Sequence, residues 1–398
     1  MSSANTTYMI LCTALVCLMT PGLAFFYGGL TRKKNVLILM MRSFIAMGIV
    51  TLIWNFGGFS LAFGPDIGGI IGNPMAYFAL HNVGVDPNPI YGGTIPFLLF
   101  FAFQLMFCVI TVPLMTGAFT ERMTMKSYII FLIAWTILVY LPVCHWVWGG
   151  GFLQKMHFVD FSGGAVIHTT AGFSALVCVL LLGKREWKVT KENEQASNLM
   201  AAAIGTGLLW FGWFGFNAGS SLAANRLAAI AFSNTFISLA TAMVVWLLLV
   251  RLQGHKTTFV DVLTGSVAGL ATITPASGYI EAVIVGLVAG VVCTLAVYLR
   301  KKKGWDDALD VWGVHGVGGL TGTIFIGLLA TKTVNGVQAG FHTFMVQTLG
   351  VVGIALYAMA WTWVILKIML KTMTVKPTVE EQVTGLDQEL LGEVAYHE

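Results

Sequence analysis

The chain has 398 residues, of which 57% are hydrophobic and only 10% charged, and its mean hydropathy is +0.81. This excludes a soluble globular domain, and a net charge of +4 scattered over connecting segments offers no basic face to a nucleic acid. Forty-five glycines instead suit helices packed closely in lipid, where small residues let backbones approach.

Apolar runs long enough to cross a bilayer are predicted near 6–30, 36–63, 95–118, 128–148, 163–183, 198–219, 227–250, 257–275, 278–299, 311–331 and 342–370. These eleven spans define an all-α, polytopic membrane protein. No basic segment precedes the first run and no A-x-A-like site follows it, so this span is expected to stay in the mature protein. With the N-terminus outside, the inner loops collect Arg32, Lys33, Lys34, Arg122, Lys126, Lys184, Arg185, Lys188, Lys191, Arg251, Lys256 and the run 300–303. The outer loops hold only Lys155, Arg226 and Lys332, and this bias places the N-terminus outside and the C-terminus inside. Residues 1–370 then form the transmembrane domain of a multi-pass protein of the inner (plasma) membrane, and 371–398 a cytoplasmic tail. The six cysteines lie in apolar runs without a CxxC pair and read as packing residues.

An odd number of spans suggests two inverted five-helix repeats, about 6–183 and 198–331, plus an extra helix at 342–370. Span five opens Asp160-Phe-Ser-Gly-Gly-Ala-Val-Ile-His168 and span ten Asp310-Val-Trp-Gly-Val-His315, and the odd count gives them opposite directions. Ionisable groups inside spans are costly and therefore mark function. His168 lies about 12 Å of helix beyond Asp160 and His315 about 7.5 Å beyond Asp310, so both approach the midplane from opposite faces. Two unrelated core histidines are the plainer alternative. Asp160 precedes glycines and is expected to accept hydrogen bonds from the first free N–H groups of its helix, a structural role, while also placing a negative charge below the outer surface. Asp310 has the same reading on the inner side.

Aromatic residues crowd the outer ends of several spans: Phe103, Phe107, Trp146, Trp148 and the run 210–216. An interfacial belt accounts for most of them, and a few facing a pore would attract a cation through their ring faces. No G-x-S-x-G elbow, H-E-x-x-H or phosphate loop appears, so an enzyme is not expected.

The chain resembles the ammonium transporter family, the Amt branch of the Amt/Mep/Rh group, over nearly its whole length. The residues that carry the resemblance are Pro21-Gly-Leu-Ala-Phe-Phe-Tyr-Gly-Gly29, Asp160 to His168, Gly212-Trp-Phe-Gly-Phe-Asn-Ala-Gly-Ser220, Ile273-Thr-Pro-Ala276 and Asp310-Val-Trp-Gly-Val-His-Gly-Val-Gly-Gly319. The resemblance implies a homotrimer with one pore per subunit and no cofactor or metal. It places an outer ammonium-recruitment site on Phe107, Trp148 and Ser220, and a stacked phenyl gate on Phe107 and Phe216. It places paired pore histidines at His168 and His315, with Trp213 and Thr274 beside the pore and Asp160 below the recruitment site. The segment Gly385 to Tyr396 resembles the family's regulatory tail, which in relatives packs under the neighbouring subunit and takes part in control by PII-type signalling proteins. Leu391 stands where many relatives have histidine.

Ammonium recruited at the outer site would lose a proton before an apolar stretch that neutral ammonia crosses and potassium cannot. Facing histidines would also suit a bis-histidine haem protein, and an ammonium sensor with little flux would keep the recruitment residues.

Overall fold

A computed structural model describes residues 1–185 and 196–396; Lys188 and Lys191 of the predicted inner loop lie outside them. Among the described residues, ten helices are long and apolar enough to span a bilayer: α1 Ser3–Leu30, α2 Lys33–Phe63, α3 Phe97–Thr116, α4 Met125–Lys155, α5 Gly164–Leu182, α6 Leu199–Gly219, α7 Arg226–Leu252, α9 Ala282–Lys303, α10 Trp312–Leu329 and α11 Phe341–Thr372. The span predicted over 257–275 is a shorter apolar helix, α8, Phe259–Ile273. Pro275 ends it, because its ring supplies no N–H for a further turn. At about 22 Å, α8 falls short of a core about 30 Å thick and leaves its end inside the protein. Among the described residues the regular structure is helical apart from a small hairpin, Asp66–Ile67 paired with Ile71–Gly72, on the face that holds the N-terminus. We call this the outer face.

The glycines act where helices cross. A Cβ on Gly205 of α6 would lie 2.1 Å from the Phe26 nitrogen of α1, and one on Gly172 of α5 would lie 2.1 Å from the Gly316 nitrogen of α10. Any larger residue would part these pairs. Around the pairs, the core is aliphatic and aromatic, with Trp54, Trp135 and Trp213 fully buried. The wet faces of the spans are replaced by apolar surface such as Phe232, Phe236, Leu248 and Leu356, as lipid requires.

The basic residues of the inner loops do more than set orientation. Arg32 forms an ion pair with Glu121, Arg185 lies 3.5 Å from the same carboxylate, and Arg185 is also paired to Asp306 at 2.8 Å. Glu121 is fully buried, so this network is charge-matched out of water. Two short tail helices, α12 Val379–Thr384 and α13 Leu386–Leu391, continue it. Arg32 donates to the Gln382 carbonyl at 3.1 Å, and the Asp387 carboxylate accepts from the Leu37 and Ile38 N–H groups at 2.9 and 2.8 Å. Asp387 thereby caps the start of α2 from a distant part of the chain. The tail is thus folded against the α1–α2 connection of the same chain.

Candidate functional site

Asp160 sets the upper half of the site. Both its carboxylate oxygens are used, Oδ1 by the N–H groups of Gly163 and Gly164 and Oδ2 by those of Ala165 and Val166, at 2.8 to 3.0 Å. Four free donors at a helix start are satisfied by one side chain. The turn that follows is wide, with the His168 N–H bonded to the Gly163 carbonyl five residues back at 3.0 Å. Such π-turns reorient side chains, and this one aims His168 inward. The main-chain carbonyl of Asp160 accepts from the Trp148 indole at 2.8 Å. Structural capping therefore occupies the carboxylate, and the residue reaches the vestibule by orienting Trp148.

The lower half repeats the device, with one correction. The capping role expected of Asp310 falls to Asp307, whose Oδ2 accepts from the Trp312 N–H at 2.8 Å. Asp310 adopts a left-handed backbone, φ 56°, and pairs with Arg300 at the end of α9, 2.6 Å away. Its electrostatic partner is thus a guanidinium rather than a helix start. Asp307 lies eight residues before His315, the same separation as Asp160 from His168. A second π-turn, closed by the Val317 N–H on the Trp312 carbonyl, carries His315.

The two imidazoles meet at the centre. Their Nδ1 atoms are 3.2 Å apart and the rings are inclined by 23°, so one Nδ1 donates to the other. Nε2 of His168 is buried without a partner. Trp213 stacks on His168 at 5.4 Å and 20°, and is held by donating to the Thr274 hydroxyl at 2.8 Å. Thr274 in turn donates to the Leu270 carbonyl of α8 at 2.8 Å. The histidines line a cavity of about 10 Å³ with Leu23, Ile110, Leu114 and Val267 among its walls. This is the least volume that accepts one water-sized molecule.

Above His168, Phe107 and Phe216 are stacked at 4.2 Å and 15° and are fully buried, closing the path. Outside them opens a vestibule of about 320 Å³ whose walls include Gln104, Phe107, Trp148, Asp160 and Ser220. Trp148 stands edge-on to Phe107 at 6.1 Å and 83°. The Ser220 hydroxyl donates to the Phe216 carbonyl at 2.9 Å, which leaves its oxygen lone pairs free to accept. The structure thus brings Phe107, Trp148, Ser220, Phe216, His168, His315, Trp213 and Thr274 into one chain of contacts, and leaves Asp310 outside it, paired with Arg300. Sequence reasoning passed over Asp307; the repeated eight-residue spacing was the available signal.

Eleven helices around a line of buried histidines and aromatic rings, reached from a vestibule, define a multi-pass membrane transport protein. Two curated relatives are similar along the chain: Ammonium transporter 1 of Dictyostelium discoideum, 45% identical and covering 99% of this chain and 87% of its own, and the ammonium transporter of Bacillus subtilis, 40% identical with both chains fully covered. The crystal structure of Saccharomyces cerevisiae Mep2 superposes with a TM-score of 0.88 at 32% identity, covering 95% of this chain and 91% of that one. A structure titled Sensor Amt Protein superposes at 0.89 and 27% identity, covering 97% and 98%. The Ammonium Transporter Family model matches residues 7–396, and the chain belongs to this family. The family is one of transporters, not enzymes, and the chain is a multi-pass membrane protein, as a plasma-membrane transporter must be.

Proposed function

We propose that this chain recruits ammonium in the outer vestibule, deprotonates it at the stacked phenyl rings and conducts ammonia past His168 and His315. The observation that carries the reading is the pair of hydrogen-bonded imidazoles in a tight apolar cavity directly behind closed rings. Ring faces of Trp148 and Phe107 attract a cation by about 2 kcal/mol when water is excluded, and Ser220 accepts one of its hydrogen bonds. Beyond the rings a bare cation has no ligands to replace its hydration, while ammonia loses little. Potassium is close to ammonium in charge but has no proton to give up.

Current recordings on reconstituted protein with ammonium, methylammonium and potassium test this. Charge movement with the first two and none with potassium is expected if the proton follows the ammonia; flux of methylammonium without current indicates that it returns. A sensor would bind and carry neither, and the likeness to a chain titled as a sensor makes that comparison informative. Trp148→Leu and Ser220→Ala should both raise the half-saturating ammonium concentration, the serine variant by about fivefold for one lost hydrogen bond of average strength, with potassium still excluded. Potassium flux in either variant would show that the vestibule, not the path behind the rings, is the filter.

We further infer a homotrimer and a regulatory tail, with a PII-type signalling protein as a candidate partner at the inner face. The tail carries six acidic residues from 377 onward and no apolar run long enough to span. Asp387 and Leu386 are nonetheless buried against α2, so the tail is poised to shift the inner ends of the spans. Truncation before Gly385 should leave a membrane-inserted protein with altered methylammonium uptake or a lost response to such a partner. Loss of insertion, read by detergent extraction and size-exclusion profile, would make the tail a folding element instead.

A further inference from the structure

We propose that Gln347 of α11 is a positioning residue for Trp148: its carboxamide fixes the peptide groups that lead into Asp160, and so the carbonyl to which Trp148 is hydrogen-bonded. This rests on the recruitment reading of Trp148. Between α4 and α5 the chain has no regular structure over 158–160, although Phe158 and Asp160 are buried. Main-chain groups in such a stretch have no helix partners and find none in lipid, so each needs a bond from elsewhere in the protein. Gln347, itself fully buried, supplies two of them. Its Oε1 accepts from the Val159 N–H at 2.9 Å, and its Nε2 donates to the Val159 carbonyl at 2.7 Å and to the Thr323 carbonyl of α10 at 3.3 Å. Oxygen faces an N–H and nitrogen faces two carbonyls, so only one orientation of the amide satisfies all three contacts.

The bracket sits one residue before the groups that build the vestibule. Peptide groups are planar, so holding the N–H and the carbonyl of Val159 fixes the planes on both sides of that residue. The second of these planes ends on the Asp160 nitrogen. From Asp160 the carbonyl then receives the Trp148 indole at 2.8 Å, and the carboxylate receives the four N–H groups of the π-turn. Phe161, the next residue, is held from another side by its N–H on the Pro275 carbonyl at 3.0 Å. α11 comes this close because its next turn carries Gly350, where a Cβ would lie 2.4 Å from the Phe158 ring. Gln347 and Gly350 are three residues apart and share one face of the helix. The helix outside the two expected repeats thus completes the outer site.

The inner half holds the corresponding residue with charge instead. Asp306 precedes the cap Asp307 as Val159 precedes Asp160; its carbonyl accepts from the Arg122 guanidinium at 2.5 Å and its carboxylate is paired with Arg185. A guanidinium beside Val159 would oppose uptake of a cation in the vestibule. A carboxamide holds the backbone without adding a charge.

The test replaces tryptophan by 5-fluorotryptophan in the full chain in bilayers, with Trp148→Leu identifying the Trp148 fluorine signal, and measures methylammonium uptake alongside. Gln347→Met keeps the length of the side chain and removes its three hydrogen bonds; Gln347→Asn keeps the amide on a stem one carbon shorter. Both should move or broaden the Trp148 signal and raise half-saturation more than they lower the maximal rate. For Gln347→Met the rise should be at least about fivefold, the equivalent of one hydrogen bond of average strength. Thr362→Val is the control, because it removes a bond to Ser174 from the same helix about 22 Å further along, and it should change neither readout. A Trp148 signal unchanged in well-inserted Gln347→Met and Gln347→Asn, or moved as far by Thr362→Val, would overturn the proposal. If Trp148→Leu leaves half-saturation where it is, the recruitment reading of Trp148 falls, and the fluorine signal still decides whether Gln347 positions it.

Discussion

His168→Asp and His315→Glu are expected to turn a path that excludes potassium into one that carries it. In the proposed mechanism the imidazoles do two things at once. With the Nδ1 atoms bonded to each other 3.2 Å apart, the Nε2 atoms offer ammonia a donor on one ring and an acceptor on the other, and the pair adds no net charge to the apolar cavity. An ionised carboxylate at either place offsets the cost of stripping a cation, which amounts to many kcal/mol in a medium of low polarity. It also draws water into a space that now holds about 10 Å³. Even about 1.4 kcal/mol of lowered barrier is a tenfold gain, so potassium current in matched proteoliposomes should rise at least about tenfold over the parent. His168→Ala should instead slow methylammonium uptake, since it removes the bridge without adding a charge. Two well-inserted carboxylate variants that still exclude potassium would move the filter to Phe107 and Phe216.

Much of this arrangement was legible in the sequence because the strongest signals are physical constraints with few solutions. Long apolar runs must be helices in lipid, and all eleven were located, since an unsatisfied backbone there is too costly. The histidines stood out because an ionisable group inside a span is rare. What the sequence hid was local. α8 reads as a full span in hydropathy, yet Pro275 stops it, and hydropathy contains no information on hydrogen bonding. The cap of α10 was assigned to Asp310 because that residue directly adjoins the helix, whereas the π-turn needs its cap further back, at Asp307. Capping from Asp307, eight residues before His315, matches the spacing of Asp160 and His168, and the two imidazoles meet. His145 carries the same signal, inside the span predicted over 128–148, but hydropathy does not show its partner, since Asp66 is 79 residues away along the chain.

Asp160→Ala should be the most destabilising single change in the outer half, and its effect separates structure from electrostatics at the vestibule. The carboxylate satisfies four buried N–H groups with 4% of the residue exposed, so its removal leaves donors that neither lipid nor neighbouring side chains replace. Each unpaired buried donor costs about 1 to 3 kcal/mol, and even with water entering from the vestibule the sum is on the order of 4 kcal/mol. Asp160→Asn keeps one acceptor oxygen and turns an NH₂ group toward N–H donors, so it should recover only part of that loss. If Asp160 acted chiefly as a negative charge that attracts ammonium, both variants would fold normally and differ from the parent only in half-saturation, with weak uptake at low ammonium. If it acts as the cap that sets the π-turn, thermal unfolding in detergent should fall for both, further for alanine than for asparagine. Uptake should then be lost at all ammonium concentrations, because His168 is no longer aimed at His315. The decisive comparison is with Trp148→Leu, which touches the same vestibule and the Asp160 carbonyl but leaves the four N–H bonds intact. Equal thermal stability of Asp160→Ala and Trp148→Leu would refute the capping role.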